Sequence, residues 1–269
     1  MGWASYQEDI VSRFVAARRP STRVFHSPRI GQPAKVERPQ GINMTELKDF
    51  VIQSARPLPV IILADVSGSM KENGKIDALN EAVSNMISAF AEEETSRAEI
   101  QVAVVAFGGG EAKVHRPLGA AVPGGWTPLT AKGSTPLGAA LELARNLIED
   151  REQIPGRAYR PTLILISDGQ PTGTNGKPTT DWRSPLELLL KSERASKAAR
   201  FALAIGDDAD HEVLNAFLAD PARQVFSAAQ ARHIKQFFRW VTMSITARSR
   251  SVNPNTVVFT DLADDELDY

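Results

Sequence analysis

Cysteine is absent from the chain. That excludes disulfides, zinc–thiolate centres and cysteine nucleophiles. Histidine is scarce, and His26, His115, His211 and His233 are too scattered to form a histidine metal cluster. His211-Glu212-Val213-Leu214-Asn215 carries Asn where a zincin helix needs its second His. No Gly-x-x-x-x-Gly-Lys-[Ser/Thr] loop occurs, since Gly173 to Lys177 is too short and Pro178 follows it. A Gly-x-Ser-x-Gly elbow is missing as well. No apolar run reaches the length of a membrane span, and the N-terminal stretch has no apolar core of signal-peptide type. The expectation is a soluble, cytoplasmic chain without membrane contact. A net charge of −1 gives no reason to expect nucleic acid as a partner.

What is present is a chain of 269 residues, 42% of them hydrophobic, enough for one large or two small cores. Its organising stretch is Pro59-Val60-Ile61-Ile62-Leu63-Ala64-Asp65-Val66-Ser67-Gly68-Ser69-Met70. Val60 to Ala64 are apolar without alternation, as in a parallel strand buried on both faces. The run stops at Asp65, and two hydroxyls follow, Ser67 and Ser69. Gly68 is expected to let the backbone turn sharply between them. One carboxylate and two hydroxyls are then gathered just past a strand end. These are hard oxygen ligands suited to Mg²⁺ or Mn²⁺. The same stretch also reads as a polar turn capping the next helix, and by itself it does not choose between the two.

Two later segments bear on that choice. Ala131-Lys132-Gly133-Ser134-Thr135-Pro136-Leu137-Gly138 sets a threonine ahead of a helix. Leu163-Ile164-Leu165-Ile166-Ser167-Asp168-Gly169 is a second buried strand that ends in an acid. In this order the three segments resemble the von Willebrand factor A domain family over about residues 57 to 246. The resemblance implies a metal-ion-dependent adhesion site. Ser67, Ser69 and Thr135 would offer hydroxyl oxygens to a Mg²⁺ or Mn²⁺ ion, and Asp65 and Asp168 would act mainly through water. It further implies that the open position of the metal takes a carboxylate from a partner protein, so that the chemistry is binding, not turnover. Arg56-Pro57-Leu58-Pro59-Val60 and the segment from Ser167 to Thr172 resemble the bacterial cytoplasmic, TerY-type tellurite-resistance branch. That likeness implies work beside a protein kinase, phosphatase or AAA+ ATPase in stress or defence.

The competing class is a haloacid-dehalogenase-type phosphatase or phosphotransferase with Asp65 as nucleophile. Such a site needs a second acid two residues on, where Ser67 stands, and Lys132 would have to bind the phosphate.

The rest of the chain supplies the frame. Trp3, Tyr6, Ile10 and Phe14 mark one face of a short helix near 3–17. Four prolines among Arg and Lys make 20–41 an extended basic arm. Asn43 with Glu46 begins a short helix that stops before Pro57. From residue 58 strands and helices alternate: strand 58–64, helix 75–92, strand 100–107, edge strand 112–118, helix 136–150, strand 162–167, helix 185–199, strand 201–205, helix 210–218, strand 224–226 and helix 229–246. This predicts a doubly wound α/β fold, mostly parallel, with one antiparallel edge strand and helices on both faces. The expected organisation is an N-terminal region 1–55, an α/β domain 56–248 and an acidic tail 249–269. In that tail Asp261, Asp264, Asp265, Glu266 and Asp268 are either solvated or a docking motif. The loops 108–111, 119–134 and 169–184 are candidates for partner selection, with Trp126 and Trp182 as either contact residues or loop anchors.

Overall fold

A computed structural model describes residues 55–93, 98–207 and 209–256. The N-terminal helix, basic arm and capping box, and the acidic residues of the tail, lie outside the described residues. Within them six strands form one sheet in the order β3-β2-β1-β4-β5-β6. These are β1 (Arg56–Asp65), β2 (Ala98–Gly108), β3 (Glu111–Ala120), β4 (Thr162–Ser167), β5 (Ala199–Ile205) and β6 (Phe226–Ala228). Every pairing is parallel except β2 with β3. The helices are α1 (Lys75–Ala91), α2 (Leu137–Glu149), α3 (Arg183–Lys191), α4 (His211–Leu218) and α5 (Ala231–Arg250).

The unalternating apolar run of β1 is explained by two cores. Leu58, Val60, Ile62 and Ala64 join the core under α1 and α5. Ile61 and Leu63 join the opposite one under α2, α3 and α4. β4 divides in the same way, with Ile164 and Ile166 on the first face and Leu163 and Leu165 on the second. Successive side chains point to opposite faces of a strand, so a strand covered on both sides must be apolar throughout. In α5 the periodic residues Ile234, Phe237, Phe238, Val241 and Ile245 are buried, as their spacing predicts, and Trp240 joins them. Trp240 packs with its ring centroid 4.6 Å from Phe226 and 5.3 Å from Phe201.

One helix is shorter than its sequence suggests. The apolar pattern extends a helix to residue 199, yet α3 ends at Lys191, and a single 3₁₀ turn, Ala195–Lys197, leads into β5. Glu149, at the end of α2, accepts hydrogen bonds from the backbone N–H groups of Arg194 and Ala195 at 2.8 and 2.9 Å. That carboxylate takes donors that helix continuation would need. β5 also begins earlier than expected, at Ala199, where it pairs with Thr162.

The order of the strands fixes where a ligand can sit. From β1 the chain winds outward to β2 and β3, then crosses back to β4 on the other side of β1. An open α/β sheet binds ligands beyond the carboxyl ends of the two strands where the winding reverses. Here those strands are β1, ending at Asp65, and β4, followed directly by Asp168.

Candidate metal centre

Asp65 and Asp168 are far apart in sequence, and parallel pairing of β1 with β4 brings their strand ends together. Both acids are buried, at 0% and 2% exposure. The turn after β1 is tied into the cluster. The backbone N–H of Ser67 donates to Asp65 Oδ1 at 2.8 Å. Ser69 Oγ donates to Asp168 Oδ1 at 2.8 Å, and Ser67 Oγ reaches the same oxygen at 3.4 Å. The two serine hydroxyls are 3.1 Å apart. Four of the five expected residues therefore form one hydrogen-bonded group. Thr135 is placed by its backbone instead: its N–H donates to Thr172 Oγ1 at 2.8 Å, and its carbonyl accepts from the Thr172 N–H at 3.1 Å. Its loop is fastened to the serine turn by the Gly68 N–H, which donates to the Gly133 carbonyl at 2.8 Å.

Glycine acts here differently from the expectation. Gly68 is not in the left-handed region; the sharp change of direction before α1 falls at Asn73 and Gly74, with φ of 51° and 69°. A glycine that the site cannot replace is Gly133. Its φ is +61°, and a Cβ there would lie 2.6 Å from the Gly109 Cα, backbone against backbone. Loops 108–110 and 131–135 thus close on each other beside the serine turn because neither has a side chain at the crossing.

Two further residues belong to the cluster and are not singled out by the sequence. Ser167 Oγ donates to Asp65 Oδ2 at 2.7 Å, so Asp65 has both oxygens engaged. Lys75 Nζ donates to Asp168 Oδ2 at 2.9 Å, from a side chain 15% exposed. The signal for Ser167 is its place at a strand end beside Asp168. Lys75 gives no signal, because its partner comes from a distant strand.

Burial pushes the Asp65 carboxyl up to about 6, and repulsion from Asp168 adds to this; the hydrogen bonds from Ser167 and Ser67 oppose it. A dication is the natural complement to two buried acids with a single ammonium beside them. The oxygen set suits a hard cation. Among the described residues no three or more His, Cys, Asp or Glu are grouped to hold a metal ion, so the two acids would share an ion with hydroxyls. Asp65, Ser67, Ser69, Thr135 and Asp168 fit Mg²⁺ or Mn²⁺ by chemistry, and such an ion would supply an electrophilic position for one more oxygen.

The nearby candidates divide otherwise. Lys132 does not approach the acids: its Nζ lies 3.7 Å from Glu111 Oε1 in a pair that is more than half exposed. Trp182 is a loop anchor, 6% exposed in the core under α2 and α3. Trp126 is also an anchor, partly buried against the other core and edge-on to His115 at 5.4 Å. Among the described residues no helix is long and apolar enough to cross a membrane.

Residues 60–170 match the family model described as von Willebrand factor type A domain. No curated protein matches the chain. The fold is similar to that of a von Willebrand factor type A protein from Catenulispora acidiphila, with a TM-score of 0.54, 21% identity, and coverage of 71% of this chain and 42% of that one. It is also similar to proximal thread matrix protein 1 from the mussel byssus, in a structure with a zinc-occupied MIDAS motif, with a TM-score of 0.51 at 20% identity over 71% of this chain and 46% of that one. A third similar structure is the pilus adhesin SpaC from Lactobacillus rhamnosus GG, with a TM-score of 0.57, 15% identity, and coverage of 74% and 31%. The chain thus spans less than half the length of each of these solved proteins. At such identities the likeness is one of fold. The matched segment, 60–170, contains both acids of the cluster, and the fold around it is that of the von Willebrand factor type A structures.

Proposed function

We propose that this domain is a metal-dependent protein-interaction module: Asp65, Ser67, Ser69, Thr135 and Asp168 hold Mg²⁺ or Mn²⁺, and the bound ion accepts a carboxylate from a partner protein. The observation that carries the reading is the hydrogen-bonded set of two buried acids and two serine hydroxyls at the switch point of the sheet. Neutral hydroxyl ligands leave a dication with unspent charge, which favours an anionic oxygen from outside. A cleft of about 470 Å³ lies alongside, between the start of α2 and residues 171–181, with room for the chain that flanks such a carboxylate. The mussel protein with zinc in its motif and the pilus adhesin are relatives in fold, and both agree with this class. By resemblance, the role is that of a cytoplasmic adaptor in a bacterial stress or defence system, beside a kinase, phosphatase or AAA+ ATPase.

Binding is favoured over phosphoryl transfer by the state of Asp65. Its two oxygens are engaged by Ser67 N–H and Ser167 O–H, and the residue is fully buried, so it is not poised as a nucleophile. Titration calorimetry of EDTA-stripped protein with MnCl₂ and MgCl₂ tests the reading. One ion per chain is expected, with binding lost in Asp168→Ala and Ser69→Ala. Equal affinity in wild type and variants would overturn it.

A further inference from the structure

Lys75 is the first residue of α1, a helix whose N-cap is Gly74 and has no side-chain cap. The N-terminus of a helix carries partial positive charge and prefers an acid. A lysine in the first turn is therefore misplaced for the helix itself. It is not left in solvent either: its side chain is mostly buried and its ammonium lies on Asp168 Oδ2. Gly206, following β5, borders the ammonium: a Cβ at that position would meet Lys75 Nζ at 3.5 Å, an ordinary contact.

The two oxygens of Asp168 are thus divided. Oδ1 takes the serine hydroxyls, and Oδ2 takes the ammonium. Counted in formal charge, Asp65, Asp168 and Lys75 sum to −1. A dication brings the cluster to +1, and one external carboxylate brings it to zero. Without Lys75 the dication alone would formally neutralise the two acids, and the pull on an external anion would be weaker. Lys132 does not substitute for it, being paired with Glu111 at the rim.

We propose that Lys75 is a specificity-determining residue of the metal site: by holding Oδ2 of Asp168 it weakens the hold on the cation and strengthens the capture of an external carboxylate. This rests on the metal-binding reading above. It makes a prediction opposite in sign to that of a structural role. If Lys75 only positioned Asp168, its removal would loosen that acid and weaken the metal. If it balances charge, its removal strengthens the metal and weakens the anion.

The experiment uses Mn²⁺ followed by electron paramagnetic resonance, and acetate as the probe carboxylate, read by paramagnetic broadening of its methyl proton line. Wild type, Lys75→Gln, Lys75→Met and Lys75→Arg are compared after circular dichroism confirms that each is folded. Expected are at least tenfold tighter Mn²⁺ binding in Lys75→Gln and Lys75→Met, at least threefold weaker acetate capture by their Mn²⁺ forms, and wild-type behaviour of both kinds in Lys75→Arg. Unchanged or weaker Mn²⁺ binding in the Gln and Met variants would overturn the inference alone. Absence of Mn²⁺ binding in wild type would overturn the underlying reading and the inference with it.

Discussion

The two ends of β4 each hold a buried charge, and the two are handled in opposite ways. At its start, Arg248 from α5 is 2% exposed. Its guanidinium donates to Thr162 Oγ1 at 2.6 Å, to the Arg160 carbonyl at 3.0 Å and to the Pro254 carbonyl at 3.0 Å. Burial lowers this arginine to about 10, helped by the neighbouring Arg160, and it stays charged at neutral pH. Three neutral oxygens, matched to a rigid fork, give each of its three nitrogens an acceptor. At the other end of the strand Asp65 and Asp168 are acids beside one ammonium, and burial lifts Asp65 to about 6. The first charge is finished within the fold and can only be disturbed. The second is unfinished, and a cation completes it. A buried charge alone thus says little about function; whether its partners are already complete says more.

The comparison breaks most visibly at Arg248. Arg248→Met would leave Thr162 Oγ1 and two carbonyls buried without donors, at a cost of about 4 kcal/mol in urea unfolding. Arg248→Lys, which replaces the fork with a point charge, would not restore all three bonds. Metal affinity of the folded fraction should be unchanged in both, because the lesion is at the far end of the strand.

The acid end should respond with the opposite sign. In metal-free protein the folded carboxyl of Asp65 titrates near 6, against 3.8 for an ordinary aspartate. The native state then keeps its proton longer than the unfolded chain does. Stability is fully present below about 4 and is lost as pH rises through about 6, by roughly 3 kcal/mol in all. Unfolding curves in EDTA between pH 4 and 7.5 should show that fall, and Mg²⁺ should reverse it at the upper end. Asp65→Asn keeps the acceptor for Ser67 N–H and can meet Ser167 with its amide, so it should flatten the pH dependence and match or exceed wild type in EDTA at pH 7.5. Its metal affinity should drop at least tenfold. Parallel pH curves for the two proteins would show that Asp65 carries no uncompensated charge.

The same contrast explains what the sequence discloses. β1 and β4 are legible because burial on both faces leaves an unbroken apolar run in each, 60–64 and 163–166, and an acid stands at or directly after the strand end that nothing apolar could explain. The serine turn and Thr135 are legible through motif order. Arg248 is not, since its acceptors come from three separate places, residues 160, 162 and 254, and an arginine in a helix looks like any other. Lys75 is hidden for the same reason. The end of α3 is set by Glu149, a carboxylate from another helix, which no periodicity within 183–199 can register. Gly68 reads as a hinge from its type alone, whereas the turn residues are Asn73 and Gly74. Local pattern reveals strands and helix faces; what closes a helix or balances a charge is contributed from elsewhere.

The finest test asks whether a threonine at each end of β4 does the same work. Thr162 serves Arg248, and Thr172, shortly after the strand, serves Thr135. Valine is close in shape to threonine but has no acceptor. Thr172→Val removes the acceptor of the N–H of Thr135, a residue 6% exposed, and should cost about 1 kcal/mol. The second link, from the Thr172 N–H to the Thr135 carbonyl, survives, so the loop keeps its path. What it loses is definition of the Thr135 hydroxyl, and Mn²⁺ affinity should fall by a few-fold. Thr172→Ser retains the acceptor and should change neither quantity. Thr162→Val should lower stability by a comparable or larger amount and leave Mn²⁺ affinity untouched. If Thr172→Val also left the affinity untouched, both threonines would be structural, and the functional end of the strand would be confined to the two acids and the serine turn.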